Sequence, residues 1–118
     1  MNAEIKKIFG ESIMVDGTEV PVAHLKYKGN SRTYVIWGII SEKGELYADD
    51  EPVASSVLVD VDVYSDGNYI KTITEIKKLM KNNDWMWVED SQEMFDEDTG
   101  LYHKTLTFTK EGEIKWQE

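Results

Sequence analysis

Two aspartates in one short segment have the spacing that metal chemistry requires. Asp60 and Asp62 are separated by a single valine, so in an extended strand their carboxylates share one face, about 7 Å apart. Such oxygen pairs bind divalent cations, and glycosyltransferases use an Asp-X-Asp metal site. This chain is too small for that enzyme class and has no nucleotide-binding loop. We therefore interpret the pair as the solvent-facing side of a strand.

The two histidines are the other candidates for chemistry. His103 can join Asp96 or Asp98 as a cation ligand, and residues 96–100 resemble part of a calcium loop. They lack its twelve-residue spacing and its terminal bidentate glutamate. Neither His24 nor His103 lies near a serine in a nucleophile elbow, and no phosphate-binding glycine motif occurs. We predict that the protein is not an enzyme and uses no cofactor or metal.

The strand that carries the two aspartates is followed by a helix. Valine recurs at every second position from 57 to 63, which indicates a strand with one apolar face. Asn68 suits a helix N-cap, and residues 82–84 end the helix. Between them, apolar residues recur at helical spacing: Ile70, Ile73, Ile76 and Met80. Strand and helix predict a common core centred on Val59, Val61, Ile73 and Ile76.

The remaining segments predict an α+β fold. Residues 2–9 have the pattern of a short amphipathic helix, and residues 13–15 and 20–22 predict a hairpin around Asp16-Gly17. Pro21 belongs at an edge or strand start, because it cannot donate to a central ladder. Further strands are expected at 23–27, 33–40, 85–88 and 101–109, with a short one at 46–47 and acidic loops at 48–52 and 89–98. Trp85 and Trp87 are expected to be one core and one partly exposed residue.

Together these elements predict a mostly antiparallel sheet of about five strands, with two helices packed on one face. A parallel pair within residues 57–88 is an alternative to antiparallel pairing there. We expect a single domain over residues 1–118, with a core at about 13–109 and a loosely docked tail at 110–118. The alternation of valine and aspartate at 57–63 predicts that one sheet face is wet or covered by another chain.

Charge and composition exclude several classes of protein. The 118 residues include 23 acids and 13 bases, a net charge of −10, which disfavours a phosphate-binding surface. Such a surface serves solubility, or it repels DNA or attracts a basic partner. The chain has no cysteine, so disulfides and thiolate metal sites are excluded. The longest apolar run, residues 34–40, is too short to span a bilayer, and no export signal is expected.

Four segments carry a resemblance to a known family: Val20-Pro21-Val22; residues 33–37 with Ala48-Asp49-Asp50; residues 59–65 with the helix that follows; and residues 96–104. The last is the most distinctive, an acidic loop followed by a Thr-Gly-Leu-Tyr-His strand. Over about residues 13–109, their order resembles the small tail-completion or tail-terminator proteins of long-tailed phages and prophages of Gram-positive bacteria.

The resemblance implies a structural protein of α+β fold. It implies a ring, expected to be a hexamer, that caps the tail tube, stops its growth and joins it to the head connector. The implied partners are other copies of the chain, the tail-tube protein and the head-connector protein. DNA passes through without specific binding, and no membrane is involved. The implied location is the virion tail, assembled in the cytoplasm of the bacterial host.

A ring subunit needs two interfaces with its neighbours and no catalytic site. We expect those interfaces to involve exposed acidic residues and one histidine: Asp49, Asp50, Glu51, Asp60, Asp62, Asp96, Glu97, Asp98 and His103. Two other functions stay open. One is an acidic inhibitor that mimics DNA, which predicts a stable monomer that binds a basic protein. The other is a small metal-dependent enzyme that uses Asp60, Asp62 and His103.

Overall fold

A computed structural model describes the backbone of residues 2–48 and 51–112, and the side chains of residues 3–40 and 56–110. The fold is α+β, as predicted. Its elements in chain order are α1 (Asn2–Phe9), β1 (Ser12–Val15), β2 (Thr18–His24), β3 (Thr33–Ala48), β4 (Glu51–Ser65), α2 (Ile70–Asn82), β5 (Met86–Asp90), β6 (Met94–Asp96) and β7 (Leu101–Gly112). The described chain thus has seven strands rather than about five.

The seven strands form one open sheet. Its order is β1-β2-β3-β4-β7-β5, and β6 pairs with β7. Every pair is antiparallel except β2 and β3, whose parallel register runs from Val22↔Val35 to His24↔Trp37. The parallel pair is therefore not within residues 57–88. There, β7 lies between β4 and β5 and is antiparallel to both, so these two strands run in the same direction without touching.

The extra strands come from segments predicted as loops or placed in other strands. Half of the predicted acidic loop at 89–98 is strand, because the last two residues of β5, Glu89 and Asp90, and all of β6 pair with β7. Pairing of this kind overrides the weak strand propensity of acidic residues. The strand predicted at 23–27 is instead the end of β2, which stops at His24. Pro21 pairs with Ser12 of β1, and the β3 register starts only at the next residue.

The core lies between the helices and one face of the sheet. The four valines of β4 at positions 57, 59, 61 and 63 are completely buried. They share a single apolar cluster with Ile5 and Phe9 of α1 and with Ile76 and Met80 of α2. Both helices therefore cover the valine face, and α1 joins this core although it precedes residue 13. Trp85 is buried and Trp87 is half exposed, as predicted.

Helix α2 presents a slightly different stripe from the predicted one. It begins at Ile70, whose N–H donates to Asn68 Oδ1 at 3.0 Å. Ile76 is buried and Ile73 is partly buried against the core, but Ile70 is 66% exposed. The buried residues are Tyr69, Thr72, Ile76 and Met80. They follow one another by three or four positions, so the core-facing side is rotated away from Ile70.

The β3–β4 hairpin is much longer than the strands around it. Its strands have 16 and 15 residues, and the molecule measures 52 × 26 × 23 Å. β4 pairs with β7 as far as Ser55↔Gly112. Beyond Gly112, the last described residue of β7, the described parts of β3 and β4 pair only with each other. We call this segment, residues 45–48 and 51–54, the arm.

The arm replaces the predicted acidic loop at 48–52. Ala48 ends β3 and pairs with Glu51, which begins β4. The predicted tail at 110–118 is wrong at its start, because residues 110–112 continue β7 and pair with β4. Asp49, Asp50 and residues 113–118 lie outside the described residues. Neither described helix is long and apolar enough to cross a membrane.

Candidate functional site

The candidate interface residues lie in three separate places. Asp60, Asp62 and His103 lie on the sheet face opposite the helices, which we call the open face. A second group occupies the turn from β6 to β7: Asp96, Glu97 and Asp98. Glu51 begins the far strand of the arm, beside the undescribed Asp49 and Asp50. The structure thus brings His103 into contact with Asp62, places Asp60 on the same face, and separates the other acids from them.

Cross-strand register explains the group on the open face. The valines of β4 point to the helices, so the residues between them face the other way. Asp62 lies opposite Thr105 and Asp60 opposite Thr107, and each carboxylate accepts a hydrogen bond from the threonine opposite. His103 Nε2 lies 3.1 Å from Asp62 Oδ1. The two half-buried carboxylates are therefore held by hydroxyl and imidazole partners from β7.

This arrangement is a poor metal site. Among the residues that the structure describes, no three histidine, aspartate or glutamate side chains converge on one point. Asp60 Oδ1 and Asp62 Oδ1 both already accept hydrogen bonds from threonine hydroxyls. A cation would have to compete with those hydroxyls and fill its remaining positions with water.

Titration with divalent cations tests this interpretation. We expect calorimetry with Mg²⁺, Mn²⁺ and Ca²⁺ to show no binding tighter than about millimolar, the weak end of calcium-site affinities. Micromolar binding that Asp62→Asn abolishes would contradict the prediction and favour the metal-dependent enzyme. Asp84→Asn is the matched control, because Asp84 is an exposed aspartate at the end of α2, away from the open face.

Four aromatic rings cross the open face as a stacked ladder. Tyr27, Tyr34, Tyr64 and His103 follow one another with centroid separations of 4.3, 4.8 and 4.2 Å. Burial raises the pKa of the Tyr64 phenol, and the negative charge of Asp62 raises it further. Neighbouring rings cover one another's faces, so the ladder connects the loop before β3 to strands β3, β4 and β7. Sequence patterns did not reveal it, since only the register Tyr34↔Tyr64↔His103 aligns the rings.

The acidic turn between β6 and β7 is an ordered connection. Gly100 has a φ of +73°, a conformation that favours glycine, and its N–H donates to the Asp96 carbonyl at 2.8 Å. The side chain of Asp96 accepts the N–H of Asp98 at 3.0 Å. From outside the turn, Arg32 donates to the Thr99 carbonyl at 3.0 Å. Asp96 therefore stabilises the turn itself, and this segment is not arranged as a calcium loop.

A groove of about 600 Å³ lies between the start of α2 and strands β6 and β7. Tyr69, Ile73 and Glu93 line it, together with Tyr102 and Lys104. The Tyr69 hydroxyl donates to the Glu93 carboxylate. Burial, then that hydrogen bond and the charge of Glu93, raise the pKa of Tyr69 to about 12.

The raised pKa predicts a loss of stability in alkali. Below the ordinary phenol pKa of 10.0, Tyr69 is protonated whether the chain is folded or not, and its full contribution is present. Between about pH 10 and 12 the unfolded state ionises first, so folding loses that contribution as pH rises. We expect the free energy of unfolding to fall more steeply there for the wild type than for Tyr69→Phe. Urea unfolding at several pH values measures both slopes.

The intermediate control is Glu93→Gln. It removes the negative charge beside the phenol but leaves the burial of Tyr69, so its slope should lie between the other two. Equal slopes for the wild type and Tyr69→Phe would show that the phenol is not held protonated by the fold.

A surface that sequence patterns did not identify lies along β5 and β6. These strands form the outer edge of the sheet beside β7 and expose large apolar side chains: Met86, Trp87, Val88, Met94 and Phe95. Lys77 of α2 lies over the Trp87 ring, 4.7 Å from its centroid, and the indole N–H donates to Asp90 at 2.7 Å. The available signal was two short apolar runs, residues 86–88 and 94–95, each followed directly by an acidic residue.

Comparison with known proteins assigns no family: no family model matches the chain, and no curated protein is significantly similar to it. Within the described residues, three surfaces could bind a partner, namely the arm, the open face and the β5–β6 edge.

Proposed function

We propose that the protein is a tail-terminator or tail-completion subunit of a phage or prophage. In this function it forms a ring, expected to be a hexamer, that caps the tail tube and joins it to the head connector. The sequence resemblance over about residues 13–109 motivates the proposal. The structural observation that best supports it is the arm, a two-stranded hairpin that continues past Gly112, the last described residue of β7.

A closed ring with head-to-tail contacts needs two different patches on each subunit. The arm supplies one of them. The open face supplies the other, because neither described helix covers it. Ile36 and Leu58 are half buried there, beside Asp60 and Asp62. We propose that the arm of one subunit packs against the open face of the next.

The net negative charge of the chain is compatible with a ring through which DNA passes. A bore lined by a chain of net charge −10 repels the phosphate backbone, so DNA passes without binding. The same charge makes subunits repel one another. Assembly should therefore depend on ionic strength, because salt shortens the range of this repulsion from about 10 Å at 0.1 M to about 3 Å at 1 M.

Size-exclusion chromatography with light scattering tests the proposal directly. The protein is run alone and with purified tail-tube subunits, at about 0.1 M and about 1 M salt. We expect a ring, alone or on the tube, whose fraction increases with salt. A monomer under all four conditions would contradict the proposal. A monomer that instead binds a basic protein would favour the DNA-mimic alternative.

A further inference from the structure

We propose that the β5–β6 edge binds an extended, basic and apolar segment of a different protein, which adds to the sheet as a further strand. This inference goes beyond the ring and does not require it. It assigns a partner to the free edge of the sheet at β5 and β6, whereas the proposed ring uses the arm and the part of the open face around Asp60 and Asp62.

The first observation is that this edge is unpaired. β5 and β6 hydrogen-bond to β7 on one side, and no strand in the described chain lies on the other. Outward-facing N–H and C=O groups of Met86–Asp90 are therefore available to an added strand. Natural edges usually carry proline or lysine to prevent this. Residues 86–103 contain neither, nor any arginine, although a bulge lies between Trp87 and Glu89.

The second observation is that apolar side chains line the edge on both faces of the sheet. Trp87 lies opposite Phe108 and Phe95 opposite Tyr102, on the helix side. Met86, on the other face, is 67% exposed, and Trp87 and Phe95 are 50% and 53% exposed. A cluster of large exposed apolar side chains is typical of a protein-binding surface. An added strand would cover these side chains with its own alternating residues.

The third observation is the negative charge of the β5–β6 edge, which indicates what kind of strand would bind there. Residues 82–102 contain no lysine, arginine or histidine, whereas Glu89, Asp90 and Asp96 lie on the edge strands. Lys77 and Lys104 approach Asp90 from the helix side, at 3.1 and 3.8 Å. No described cation neutralises Glu89 or Asp96 by an ion pair. The edge therefore carries uncompensated negative charge between apolar positions.

A second copy of this chain does not fit that charge. Pairing two β5–β6 edges would bring Glu89, Asp90 and Asp96 of both copies to one interface, with no lysine or arginine from either edge strand to neutralise them. The β1 edge is flanked by Glu11 and Glu19, so it offers no better match. A strand from a different protein, with lysine or arginine between apolar residues, satisfies both the charge and the exposed side chains.

The test uses three short fluorescent peptides and the full chain. The first peptide alternates valine with lysine. The second has glutamate in place of lysine, and the third is the first peptide with alternate backbone nitrogens methylated, which removes strand hydrogen bonds but keeps the charge. By fluorescence anisotropy, we expect the first to bind and the other two to bind at least about tenfold more weakly.

Two variants locate the binding surface. Glu89→Lys should weaken binding of the lysine peptide by about tenfold or more. Glu19→Lys makes the same charge change on an exposed strand residue at the other end of the sheet, and should leave binding within about twofold. If Glu89→Lys fails to fold, Glu89→Gln should weaken binding by a smaller factor in the same direction.

Four results would overturn the proposal. In the first, the lysine peptide fails to bind. In the second, the methylated peptide binds as tightly as the unmethylated lysine peptide, which excludes strand addition. Both lysine variants lose binding equally, which indicates attraction to net charge alone. Lastly, light scattering shows a dimer that Glu89→Lys abolishes, in which case the occupant is a second copy.

Discussion

Replacing Ile76 with alanine is expected to lower the free energy of unfolding by about 2–5 kcal/mol. The Ile76 side chain is completely buried in the cluster that α2 forms with the valines of β4. Removing its outer atoms loses their transfer free energy and leaves a cavity that the rigid sheet cannot close. Urea unfolding of the wild type and the variant measures the difference.

The matched control is Ile70→Ala. It makes the same chemical change in the first turn of the same helix, but Ile70 is 66% exposed. Its effect should stay within about 0.5 kcal/mol, as for most surface substitutions. Similar losses for the two variants would show that the helix buries a different side from the one described.

Deleting the gene from a phage or prophage that carries it is expected to abolish joined virions. Without a cap on the tail tube, tails grow to abnormal length or stay without heads, and heads full of DNA remain free. Electron microscopy of the lysate counts each species. Normal joined virions from the deletion strain would contradict the proposed function.

Complementation of the deletion tests the arm separately. Gly44 and Ser55 are cross-strand partners, so replacing residues 45–54 with Asn-Gly closes a two-residue hairpin in register. The shortened protein should keep its melting temperature, because the replacement leaves the pairing of β4 with β7 intact. We expect it to leave heads and tails separate, whereas the wild-type gene restores virions. Rescue by the shortened protein would show that the arm is not one of the two ring surfaces.

Local sequence patterns predicted the parts of the fold that depend on neighbouring residues. The valine alternation of β4 and the C-terminal end of α2 follow from backbone periodicity and helix stop signals. So does the turn at Asp16-Gly17, where both residues have positive φ. The burial of Ile76 against the valines was predicted for the same reason, since a strand and the helix that follows it pack together. The predicted N-cap was wrong by one residue, since the N-cap is Tyr69 rather than Asn68. The error at Ile70 is small, a rotation of one helix face.

Only the tertiary structure decided which strands become neighbours. The insertion of β7 between β4 and β5, and the parallel pairing of β2 with β3, join residues far apart in sequence. Such pairing depends on hydrogen bonds and burial over the whole sheet, which periodicity does not encode. The same register aligns Tyr34, Tyr64 and His103 into a ladder and places a threonine opposite each open-face aspartate.

For the candidate surfaces, the sequence determined the chemistry and the fold determined the grouping. Residue types and spacing alone show that the chain is acidic and has no cysteine, and they predict that Asp60 and Asp62 share one strand face. That His103 joins Asp62, while Asp96 stabilises a separate turn, depends on where β7 runs. The β5–β6 edge exists for the same physical reason. A strand is an edge only because no other strand pairs with its outer side, and that is a property of the folded sheet.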